Sequence, residues 1–146
     1  MLRRTIAPVL FVAVILTINC QTYTESLEKS VDRANETSAI ATLRAIAVAQ
    51  RTYSLSNNGE FGTLQQLADG GFLDPRYVSG KPVKDYLITL NVTPKQEGTS
   101  EGSYTVNADP EKPAERFGRH LYMDSTSGLI HFNLSQPATA SDPTIQ

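Results

Sequence analysis

The sequence predicts an α+β fold, with a long N-terminal helix packed on a three- to four-stranded antiparallel sheet. Three observations predict it. The stretch Asn35–Ser54, NETSAIATLRAIAVAQRTYS, sets apolar residues at helical spacing, carries five alanines and holds no Gly or Pro. Four short segments between Tyr86 and Leu134 alternate apolar with polar residues, as half-buried strands do. The breaks between them carry Gly, Pro and Ser, and the last, Ser125–Gly128, has the length of a tight hairpin loop.

The bounds on the chain agree with this. Its 146 residues leave room for one domain with one core, and 40% apolar residues place it among globular chains. A net charge of −2 gives no basic footprint for nucleic acid. The single cysteine, Cys20, excludes an internal disulfide, so packing must hold the domain.

At the start, Arg3 and Arg4 precede the apolar run Ile6–Ile18, which contains Pro8. At about 1.5 Å per residue the run alone is too short for a bilayer core of roughly 30 Å. It has the length of a secretory apolar region, so residues 1–20 are expected to be a signal peptide or membrane anchor. Cys20 directly follows the run and is the candidate lipidation residue. The tract Leu16-Thr17-Ile18-Asn19-Cys20 stands where a lipobox would, although Thr17 and Asn19 replace the Leu and the small residue usual there. Plain cleavage nearby, or an uncleaved anchor continuing into the helix, remain the alternatives.

Residues 21–134 are expected to form the globular domain. Leu27, Val31 and Ala34 lie on one helical stripe. Ile40, Leu43, Ile46 and Ala47 form the core-facing stripe, continued by Gln50 and Tyr53. Arg44 and Arg51 fall on the wet face. One helix from about Thr22 to Leu55 is expected, ended by Asn57-Asn58-Gly59, where Asn or Gly can take positive φ. Thr63 and Gln66 have capping-box spacing for a short helix with Leu64, Leu67 and Ala68 inward.

The strands follow. Tyr86, Ile88, Leu90 and Val92 share one face, as do Tyr104 and Val106, Leu121 and Met123, and Ile130, Phe132 and Leu134. If the last hairpin pairs Asp124 with Leu129, then Leu121 meets Phe132 and Met123 meets Ile130, all on the core side. The polar segment 135–146, with Pro137 and Pro143, is expected to be a disordered tail.

Candidate chemistry is sparse. That register places His131 opposite Tyr122 and diagonal to His120, with Asp124 on the same outer face. Zinc needs three or four ligands, so solvent-exposed strand histidines are the better reading. Asp109, Glu111 and Glu115 lack the spacing of a calcium loop and read as solvated charge. No nucleophile motif accompanies the serines. The triplets at Asn35, Asn91 and Asn133 fit glycosylation acceptors only in a eukaryotic secretory setting.

In order, the chain has a hydrophobic N-terminus, a helix ending AQRTY, the segment LQQLADGGFLDPRY, and strands closing with the hairpin RHLYMDSTSGLIHFN. This order resembles the globular domain of bacterial type IV pilins and type II secretion pseudopilins, from about Asn35 to Asn133. The usual prepilin peptidase motif is missing, since no Gly precedes the apolar run and no acidic residue precedes Glu25. The resemblance implies an exported, membrane-anchored protein of the cell envelope, on the periplasmic or extracellular face. It implies a structural role in a secretion or pilus apparatus, without catalysis, cofactor or metal. Its partners would be the membrane, through the N-terminal segment or a lipid, and envelope proteins or pilin-like subunits, with no nucleic acid. The alternative is a stand-alone envelope lipoprotein that binds a small ligand or partner.

Overall fold

The computed structural model describes residues 6–99, 101–111 and 118–145, with the backbone alone between 6 and 25. Helix α1 spans Ile6–Ser56, 51 residues, or roughly 75 Å at 1.5 Å per residue. It begins well before the expected Thr22. Pro8 is no obstacle, because it falls among the first four positions, whose N–H groups have no intrahelical acceptor. The helix passes Cys20 without interruption. Among the described residues, no helix is long and apolar enough to cross a membrane.

The C-terminus of α1 is set by three residues. Asn57 Nδ2 donates to Tyr53 O at 2.8 Å, and Gly59 N–H donates to Ser54 O at 2.9 Å. Asn58 and Gly59 take φ of 54° and 84°, the left-handed turn expected of this tract. Helix α2, Leu64–Asp69, carries the full capping box between Thr63 and Gln66 and buries Leu67. A short 3-10 helix, Pro75–Ser79, follows, capped by Asp74.

The sheet is antiparallel, with strands in chain order: β1 Tyr86–Thr93, β2 Ser103–Pro110, β3 His120–Asp124 and β4 His131–Asn133. A two-residue turn leads into β1. Val83 and Tyr86 exchange backbone hydrogen bonds of 2.8 and 3.1 Å, while Lys84 and Asp85 both adopt positive φ, 49° and 64°. Such a turn favours Asn-Gly, so Lys84 stores strain of about 1 kcal/mol. Asn35 Nδ2 donates to Asp85 Oδ2 at 2.9 Å and pins the turn to α1. Between β1 and β2 the chain returns so closely that a Cβ on Gly102 would lie 2.7 Å from Thr93 O. Only glycine fits there.

The hairpin register is the expected one, with Leu121 opposite Phe132 and Tyr122 opposite His131. Leu43, Ile46, Leu67, Val106 and Leu121 are fully buried, and Ile88 and Met123 nearly so. Ile40, Ala47, Leu90 and Phe132 pack around them. The C-terminal half of α1 therefore lies across one face of the sheet, as predicted. Arg44 and Arg51 face solvent.

Two expectations are corrected. Leu134 is not on the core face but 65% exposed, because β4 ends at Asn133. The tail at 135–146, expected to be disordered, is folded as far as Ile145. Phe132 N–H donates to Pro143 O at 2.9 Å, Ile145 N–H donates to Ile130 O at 2.8 Å, and Thr144 bridges to His131. Ala138 is buried and Ile145 packs against the core. The polar composition misled because backbone and carboxylate bonds, added to the small apolar contribution of Ala138 and Ile145, hold this strap. Pro137 and Pro143 also reduce the entropy it loses on ordering.

Candidate functional site

The lipidation candidate Cys20 lies within α1, and its side chain is outside the described residues. Next on α1, the expected stripe is present but unpartnered within the fold: Leu27 is 50% and Val31 55% exposed. These residues are one turn apart and share a face. Burial begins only near Asn35, where polar groups join helix and sheet.

That joint is a cluster which periodicity does not reveal. Arg119, just before β3, donates from Nε to Glu36 Oε1 at 2.9 Å and again from Nη2 to the same oxygen. Both side chains are largely covered. The Arg119 guanidinium lies 4.5 Å from the centre of the Phe132 ring, within cation–π range. Tyr86 Oη donates to Arg119 O at 3.2 Å. Burial raises the Tyr86 phenol well above its ordinary value, the Glu36 carboxylate adds to this, and Arg119 opposes it. One residue of α1 thus touches, directly or through Arg119, parts of β1, β3 and β4.

The outer face of the sheet holds both histidines, and neither is the freely exposed side chain expected. His120 Nδ1 lies 2.6 Å from Asp109 Oδ1 on β2. His131 is only 8% exposed, beneath the strap, with Nδ1 2.6 Å from Asp142 O. A carbonyl oxygen can only accept, so the proton sits on His131 Nδ1. The Tyr122 and His131 rings meet edge to face, with centroids 6.0 Å apart. Asn107 Nδ2 donates to Ala138 O at 3.1 Å. The diagonal His pair is therefore divided: one ring is committed to β2 and the other to the strap. Among the described residues, no group of three or more His, Cys, Asp or Glu could hold a metal ion. Of the acidic loop residues, Asp109 orients His120, Glu111 is exposed, and Glu115 lies outside the described residues.

Asp142 organises the strap. Its carboxylate accepts from Thr139 N–H at 2.7 Å, Thr139 Oγ1 at 2.9 Å and Asn133 Nδ2 at 2.8 Å. The Thr139 N–H foremost, then Asn133 and the Thr139 hydroxyl, hold its pKa below the ordinary value. A lowered folded pKa means that this stabilisation is present above the unfolded carboxylate value, near pH 4. It is lost as pH falls through the lowered folded value. Amide exchange at Ile145 and Phe132 is therefore expected to accelerate selectively on acidification through that window. In Asp142→Asn the strap amides should exchange faster at neutral pH, with this acid dependence gone.

A cavity of about 550 Å³ opens at the C-terminal end of α1, lined by Tyr53, Asn57, Glu60, Phe61, Gln66 and Val92 among others. Its polar groups are largely engaged. Glu60 accepts from Lys95 N–H at 3.0 Å, and Gln66 closes the capping box on Thr63. Asn57 caps the helix. No family model matches this chain, and no curated protein or solved structure matches it either.

Proposed function

We propose that this chain is an exported, membrane-associated, pilin-like interaction protein of the bacterial envelope, a pseudopilin-like component of a secretion or pilus apparatus. One observation carries the reading: α1 is far longer than the sheet it packs on. One face of its C-terminal half is buried from about Ala39 onward, while Leu27 and Val31 remain exposed one turn apart. A mean globular helix has about 11–12 residues. An exposed apolar stripe at Leu27 and Val31, on a helix of this length, suits a second helix or a membrane-proximal subunit. The membrane contact is assigned to the apolar run ahead of Cys20 or to a lipid on Cys20.

The experiment is mass spectrometry of the mature N-terminus after membrane fractionation, with site-specific photocrosslinking from positions 27 and 31. Membrane association, with either a lipidated Cys20 or a retained apolar run, and crosslinks to an envelope subunit are expected. A freely soluble chain that starts beyond Cys20 and yields no crosslink overturns the reading. Loss of membrane association in Cys20→Ser, without crosslinks, favours the alternative: a stand-alone lipoprotein that binds a small ligand in the cavity beside Tyr53 and Glu60.

A further inference from the structure

The two edges of the sheet are treated differently. At the β4 edge the strap supplies hydrogen bonds to Ile130 O and Phe132 N–H. The β1 edge has no such cover. Tyr86 turns its N–H and C=O toward Val83, away from β2. Its β2 neighbour is Pro110, which has no N–H to offer. The period of two along a strand then turns the N–H and C=O of Ile88, Leu90 and Val92 outward as well. Tyr104, opposite Val92, agrees, since its carbonyl accepts from Ser125 N–H on the β3 side. Among the described residues, nothing hydrogen-bonds these six outward groups.

Exposed edges are commonly protected by charge, proline or a bulge. The eight residues of β1, YLITLNVT, contain no charge and no proline, and their pairing with β2 is unbroken. They are also rich in β-favouring residues.

We propose that the β1 edge is a self-association surface whose occupant is β1 of a second copy, paired antiparallel about a two-fold axis through Leu90. The strand is self-complementary in this register. Leu90 meets Leu90 of the other copy, and Ile88 meets Val92, so all six outward groups pair. On the helix side, the half-buried Leu90 and Val92 gain cover. On the outer face, exposed Thr89 of one copy meets exposed Asn91 of the other, and no like charges oppose. The contact is isologous, as two-fold dimers require. It stands independently of the envelope reading, because it depends only on the strand and its register.

The test is sedimentation of the full chain in detergent as its concentration is raised, with two variants at exposed positions. T89K/N91K places two pairs of lysines opposite each other across the axis and is expected to weaken the dimer roughly tenfold. T89K/N91E places lysine against glutamate in the same register and is expected to restore it. Circular dichroism and thermal unfolding of both variants should show the wild-type fold. A chain monomeric at every concentration overturns the proposal. So does a dimer indifferent to T89K/N91K, or a T89K/N91E variant as weak as T89K/N91K. Amides of Ile88, Leu90 and Val92 that become protected only when a foreign extended peptide is added would also reject self-pairing.

Discussion

Replacing Gln50 by leucine is expected to destabilise the domain by about 3 kcal/mol, despite the added apolar surface. Gln50 is fully buried on α1. Its Nε2 donates to Gly62 O at 2.7 Å and its Oε1 accepts from Gly62 N–H at 2.8 Å. The side-chain amide thus replaces a backbone partner for a loop that has no strand beside it. Leucine leaves both Gly62 groups buried without a partner, at about 1–3 kcal/mol each. Urea unfolding should show a lower midpoint with an unchanged slope. Exchange at Gly62 N–H should rise more than exchange in β2 or β3, because the loop is released first. Equal acceleration throughout would show that Gln50 stabilises the core generally, not this loop.

Glu36→Gln is expected to cost about 2 kcal/mol, near the middle of the range for hydrogen bonds to a charged group. The Arg119 guanidinium, already partly withdrawn from water, loses its counter-charge. A double-mutant cycle with Arg119→Ala should return a coupling of similar size, since the two side chains are in direct contact. A second readout separates electrostatics from packing. The Glu36 carboxylate contributes to the raised Tyr86 phenol, so its neutralisation should lower that pKa in a spectrophotometric titration. An unmoved Tyr86 would mean that the joint holds by shape alone.

Both effects explain what could be read from the chain and what could not. The hairpin register was legible because a four-residue loop and a period of two leave one pairing that keeps Leu121 and Phe132 on the same face. The packed half of α1 was legible because Leu43 and Ile46 repeat with the helix. Gln50 lay on the predicted stripe, but its partner is a loop glycine twelve residues on, and glycine carries no pattern. Arg119 and Glu36 are 83 residues apart, so no local spacing connects them. The strap was missed for a related reason. Its order comes from Asp142 and backbone bonds, which composition does not count. The same omission made His131 look exposed. The outer-face position was right, but the cover came from a segment assumed to be absent from the fold.

The strap has one more consequence, for stoichiometry. A sheet with two open edges can add subunits without limit, and that is the geometry of a growing fibril. Here the strap takes up edge groups at Ile130 and Phe132, leaving β1 as the open side. Pairing through β1 uses that side in both copies at once, so sheet-mediated association stops at two. Loosening the strap, by acid or by Asp142→Asn, would reopen the second side and turn a self-limiting contact into one able to propagate.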